Sequence, residues 1–149
     1  MKKLGNYFVM LTVAILALFC SSCGGDDDSE EQLGAFIEYS EAQTFYETFD
    51  KYEGAKALID TREASKYDAG KLADAVNMPA TVYNTASDNS EWCQALKAKY
   101  PTGTCLFFYG PTSFQDAKIV AGRASRIGYG KQNSRIFSGG YDKLKAVWK

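Results

Sequence analysis

The chain of 149 residues has no histidine at all. Histidine is the commonest general base near neutral pH and the commonest neutral metal ligand. Its absence sets Ser-His hydrolases and metalloenzymes aside, and no metal or other cofactor is expected. A basic excess is also lacking: the formal net charge is −1, so nothing predicts a nucleic-acid partner. Proline is scarce at three residues and cysteine modest at four, which excludes both a low-complexity chain and a disulfide-dense scaffold. The longest apolar run, Phe8 to Phe19, falls short of the roughly 18 residues that a membrane-spanning helix needs.

That run is instead placed as in an export signal. Met1-Lys2-Lys3 supplies a basic start, Phe8 to Phe19 the apolar centre, and Ser21-Ser22-Cys23 a small-residue cut site. Gly24-Gly25-Asp26-Asp27-Asp28-Ser29-Glu30-Glu31 then forms a polar, acidic tether. The expected organisation is a leader over 1–22, a tether over 23–35 and one domain over 36–149. Loss of Lys2 and Lys3 with the leader takes the net charge from −1 to −3.

Within the domain, short apolar runs alternate with helical patterns. Phe36 to Tyr39 reads as a first strand, and Ser40 as an N-cap with Gln43 at the capping-box position. Phe45, Phe49 and Tyr52 recur at helical spacing. Lys56 to Asp60 reads as a buried parallel strand that stops at an acidic residue, with Thr61-Arg62-Glu63 as the loop beyond it. A brief helical turn over Ala64 to Tyr67 and a strand over Ala75 to Pro79 follow. Ser90 caps a helix carrying Trp92, Leu96 and Tyr100, and Thr104 to Tyr109 is the most apolar strand. A loop from Gly110 leads into a helix reaching Ile127, whose inner face is Ile119, Val120, Ala124 and Ile127. Ser134 to Phe137 is a last strand and Tyr141 to Trp148 a closing helix. This alternation predicts an α/β fold with a parallel sheet covered on both faces. Ligands in such folds sit beyond the carboxyl ends of the strands, here at Tyr109 and the loop after it.

Two resemblances attach to these residues. Ser21-Ser22-Cys23 resembles a bacterial lipoprotein signal, which implies lipid attachment at Cys23, and the acidic run is similar to the surface-export tag of lipoproteins of the Bacteroidetes group. Leu58-Ile59-Asp60-Thr61-Arg62-Glu63, the stretch Tyr67-x-x-Gly70-Lys71-Leu72-x-x-Ala75-Val76-Asn77-Met78-Pro79, the strand, loop and helix at Tyr109, and Ser138-Gly139-Gly140-Tyr141 together resemble the rhodanese family. Its members carry Asp-x-Arg-Glu, Gly-His-Ile-x-Gly-Ala-x-Asn-x-Pro and a Gly-Gly-aromatic turn. The resemblance implies a rhodanese-like five-stranded parallel sheet flanked by helices on both faces, and sulfur transfer through a cysteine persulfide. It places that cysteine at the residue after Tyr109, which is Gly110, and an arginine at the position of Gln115.

Physical chemistry points the same way. A persulfide carrier needs a thiolate held by backbone N–H groups at a helix start. Pro111 removes one such donor, Ser113 and Asp116 form a capping box over others, and Asp116 adds negative charge. Gly110, Pro111, Thr112, Ser113, Phe114 and Gln115 are therefore expected to be a degenerate active-site loop, in a chain that is not an enzyme. Phe114 either plugs the vacated pocket or, with Tyr109, lines a small neutral binding site or presents a contact to a partner protein. Asp60, Arg62 and Tyr109 border the pocket, where Asp60 and Arg62 serve a ligand or simply fix neighbouring loops as an ion pair. Cys93 and Cys105 are left open between a disulfide, which export favours, and separate thiols.

The expectation is an outer-membrane lipoprotein of the cell envelope, periplasmic or surface-facing, acting as a non-catalytic module that binds an envelope protein or a small neutral ligand. The alternative is a sulfurtransferase using Cys93 or Cys105.

Overall fold

The computed structural model describes residues 33–81, 84–110 and 114–149, without the side chains of 114–116. The leader, Cys23 and most of the tether lie outside the described residues, as do Pro111, Thr112 and Ser113. The described residues form one compact unit.

Among the described residues five strands alternate with five α-helices: β1 (Ile37–Tyr39), α1 (Ala42–Asp50), β2 (Lys56–Asp60), α2 (Ala64–Asp68), β3 (Ala75–Asn77), α3 (Glu91–Lys99), β4 (Cys105–Tyr109), α4 (Phe114–Ala124), β5 (Ser134–Phe137) and α5 (Tyr141–Val147). Every strand pair is parallel and the order is β1-β5-β4-β2-β3. The expected five-stranded parallel sheet is what the chain forms. No helix among the described residues is long and apolar enough to cross a membrane.

β4 lies at the centre and all five of its residues are buried, as expected of a strand covered on both faces. Its side chains alternate between two cores. Leu106 and Phe108 join Trp92, Cys93 and Leu96 of α3 with Val120, Ala121 and Ala124 of α4. Cys105, Phe107 and Tyr109 join Phe45 and Phe49 of α1 with Leu144 of α5. Phe107 meets Phe45 and Phe49 edge to face, at centroid separations of 5.6 and 5.2 Å, in the geometry that aromatic quadrupoles favour.

Some local expectations change. α1 is capped at Glu41 without a side-chain hydrogen bond, and Gln43 bonds forward to Glu47 at 2.8 Å; Ser40 is one residue too early to cap. Ser90 does cap α3, accepting from the Cys93 N–H at 3.4 Å. The helix expected to reach Ile127 changes character at Ala124. Ser125–Tyr129 is a π-helical turn that ends in Gly128 at φ 121° and Gly130 at φ 72°, conformations open to glycine. Ile119 is only partly buried.

Candidate functional site

Register brings the site together. Asp60 at the end of β2 is level with Tyr109 at the end of β4 on one side and with Asn77 of β3 on the other. All three lie at the carboxyl edge of the sheet, where the chain leaves each strand.

Asp60 and Arg62 form a buried ion pair. The Arg62 Nη2 and Nε donate to the Asp60 carboxylate at 2.6 to 3.1 Å, and the Arg62 backbone N–H donates to the same group at 2.9 Å. The two side chains are 0 % and 7 % exposed. Burial works against the Arg62 charge, but the Asp60 bonds and carboxylate outweigh it and raise the guanidinium pKa. Arg62 Nη2 also donates to the Gly70 carbonyl at 2.8 Å, and its Cζ lies 3.7 Å from the centroid of the Tyr141 ring. The pair ties the β2 exit to the residue 70 loop, and its Arg62 member lines a cavity.

That cavity is a cleft of about 340 Å³ lined by Arg62, Lys66, Ala69, Gly70, Tyr141, Asp142 and Lys145. Nη1 of Arg62 makes no hydrogen bond among the described residues, so the guanidinium has donors to spare on a wall of the cleft. Lys66 of α2 and Lys145 of α5 add two exposed ammonium groups, against the single carboxylate of Asp142. Sequence reasoning missed Lys66 and Lys145. Each reads as an ordinary surface lysine until the fold sets α2 beside α5.

Tyr109 is fully buried and stacks on Tyr141 at 6.3 Å. Its hydroxyl has no hydrogen-bond partner among the described residues, and burial with the nearby Asp60 charge pushes its pKa well up. Tyr109 therefore stands neutral behind Tyr141, which lines the cleft, and does not line it itself. Gly110 follows directly, and an ideal Cβ there would lie 2.6 Å from Thr61 Oγ1. Phe114 and Gln115 open α4 along the backbone, while their side chains lie outside the described residues.

The two domain thiols are free and buried. Cys93 belongs to one core and Cys105 to the other, so the sheet stands between them, which closes the question of a disulfide. Burial raises both thiol pKa values. Cys105 begins β4, at the opposite end of that strand from Gly110.

A family model for the rhodanese-like domain matches residues 41–147. No curated protein matches the chain in sequence at a significant level. Among solved structures, the chain is similar to the Alr3790 protein of Anabaena sp., at 17 % identity and a TM-score of 0.56 over 72 % of this chain and 86 % of that one. It is also similar to a single-domain sulfurtransferase of Saccharomyces cerevisiae, at 19 % identity and a TM-score of 0.53 over 77 % and 93 %. The human single-domain sulfurtransferase gives 20 % and 0.52 over 78 % and 99 %. These likenesses show the fold. They also correct one expectation, that the chain is not an enzyme: two chains with this architecture are sulfurtransferases, and glycine at position 110 is no sufficient ground for denying catalysis.

Proposed function

The chain belongs to the rhodanese-like domain family, and from that premise we propose an exported domain, lipid-anchored through Cys23, that binds small oxyanions at the carboxyl edge of its sheet. The observation that carries this reading is Arg62. It is buried, held in place by Asp60 and Gly70, and lines a cleft rimmed by Lys66 and Lys145. A guanidinium that needs no reorganisation to receive an anion is preorganised for the task. Sulfur oxyanions such as thiosulfate are the class that the family suggests, and Tyr141 offers a ring face beside them. The two lysines of the lining favour an anionic ligand over the neutral one expected from sequence.

The test is calorimetric titration of the protein with thiosulfate and with sulfate. Lys66→Glu with Lys145→Glu should weaken thiosulfate roughly tenfold or more, about 1.4 kcal/mol, with the melting temperature unchanged. Binding that persists in the doubly reversed variant, or no binding to the parent, would reject the cleft as the site.

A second reading, sulfur transfer through Cys93 or Cys105, is favoured by the two sulfurtransferases that share the fold. Thiocyanate formation from thiosulfate and cyanide, lost on Cys93→Ser or Cys105→Ser, would assign it. Turnover that survives both substitutions would exclude these thiols.

Acylation of Cys23 and delivery to the outer membrane belong to the same proposal. They rest on the Ser21-Ser22-Cys23 pattern and the acidic tether. Mass spectrometry of the processed N-terminus tests the lipid, and Cys23→Ala should release the protein from membranes.

A further inference from the structure

A second cavity, of about 380 Å³, is lined by Thr44, Glu47, Thr48, Lys51, Tyr52 and Arg135. It shares no residue with the Arg62 cleft. Thr44, Glu47, Thr48 and Lys51 stand at helical spacing, so one face of α1 and the residue that follows it supply one wall. Arg135, the second residue of β5 and level with Phe107 of β4, supplies the other.

Arg135 is half-buried and held in place. Its Nε donates to the Gln132 carbonyl at 3.1 Å and its Nη1 to the Tyr39 hydroxyl at 2.7 Å. Its Cζ lies 5.8 Å from the centroid of the Tyr52 ring and 5.5 Å from that of Phe107, within the range of cation–π attraction. The charges of the lining are Arg135 and Lys51 against Glu47, which leaves one positive charge in excess. Lys51 and Glu47 pair at 3.1 Å, but their side chains are 72 % and 46 % exposed, so the pair is weak and a ligand can compete for the ammonium. The carbonyls that end α1 would repel an anion if left bare. Lys56 covers them, its Nζ donating to Phe49 at 2.5 Å and to Asp50 at 3.1 Å.

We infer that this cavity is a second ligand site, for a small organic monocarboxylate whose carboxylate meets Arg135 and Lys51 and whose apolar body rests on Tyr52. The planar fork of a guanidinium matches a carboxylate, and Glu47 disfavours a second negative charge. The volume lies in the range of small-molecule pockets and leaves room for an organic body beside the charged group. This inference rests on α1 and β5 and not on the oxyanion reading of the Arg62 cleft, so either can fail alone.

The test is titration of the full chain with benzoate and, separately, with sulfate, read by amide chemical shifts in NMR. Benzoate should give saturable shifts at Thr48, Tyr52 and Arg135 and leave Lys66 and Tyr141 unmoved, and it should bind there more tightly than sulfate. Lys51→Glu alters an exposed residue, so the fold should persist while benzoate weakens about fivefold. Arg135→Lys keeps the charge and loses the fork, and should weaken benzoate about tenfold. Lys66→Glu with Lys145→Glu should leave benzoate binding as it was. Absence of saturable shifts at the α1 residues would overturn the inference. So would affinity unchanged in Lys51→Glu, sulfate binding there as tightly as benzoate, or benzoate binding that is lost with Lys66 and Lys145.

Discussion

Replacing Arg62 by methionine keeps most of the stem volume and removes the charge, which isolates the ion pair from a packing defect. The loss then has two parts. The Asp60 carboxylate, 0 % exposed, is left with the Arg62 backbone N–H as its remaining partner, and stripping one member from a buried pair costs about 3 to 5 kcal/mol. The Gly70 carbonyl loses the Nη2 donor at 2.8 Å, a further cost of about 1 kcal/mol. A domain of this size has about 5 to 15 kcal/mol to lose, so a loss near 5 takes a third or more of it. The melting temperature should drop by roughly 15 to 20 °C. Urea unfolding followed by the fluorescence of Trp92 and Trp148 gives the free energy directly. Combining Arg62→Met with Asp60→Asn should cost less than the two single losses together, by about 2 kcal/mol, because the second change relieves the orphaned charge. A single-variant loss under about 1 kcal/mol, or a strictly additive double variant, would refute the account of Arg62 as a locked group.

Asp88 offers a test by pH. Burial opposes its ionisation, but hydrogen bonds from Arg123 and Arg126 outweigh this and lower its pKa below the ordinary 3.8. The native state then binds fewer protons than the unfolded state, so the stability it contributes is present above 3.8 and is lost as the pH falls through its lower native value. Asp88→Asn should flatten that part of an acid titration of stability, and an unchanged slope would contradict the grip of α4 on this segment. Asp74 adopts φ 64°, in the left-handed region, at the place where the rhodanese pattern has its second glycine. Asp74→Gly should gain up to about 1 kcal/mol in urea unfolding. Cys93 and Cys105 should resist alkylation at pH 7 in the folded protein and react once it is unfolded in urea, with a reductant leaving the melting temperature unchanged; fast labelling of either would show that its core opens.

The strands were legible because buried parallel strands advertise themselves as continuous apolar runs. Lys56–Asp60 and Ser134–Phe137 fall at their expected bounds, and the run ending at Asp60 correctly marks the sheet edge. Helix ends were read less well. Ser40 carries the right chemistry for a cap, but the chain is still extended there, and Glu41 takes the position without supplying a side-chain bond. The π-helical turn after Ala124 left no mark in the apolar spacing; it ends at Gly128 and Gly130, whose positive φ values stop the helix, and the Tyr129 hydroxyl there bonds to the Leu96 and Tyr100 carbonyls at 3.2 and 2.6 Å. At the site, pattern pointed to Asp60, Arg62 and Tyr109, of which Arg62 lines the cleft. Lys66 and Lys145 could not be named from it, since their roles depend on what another element places beside them.

The strand order has a consequence for how this chain matures. β1 is an edge strand that pairs along its length with β5, Ile37 facing Arg135 and Tyr39 facing Phe137, and has no second neighbour among the described residues. The first strand made must therefore wait for nearly a hundred residues before its partner exists. Contacts of such long range are slow to form, because the intervening chain must be ordered first. Until Ser134–Phe137 has been made, β1 has no partner, so the sheet closes only when almost the whole domain is present.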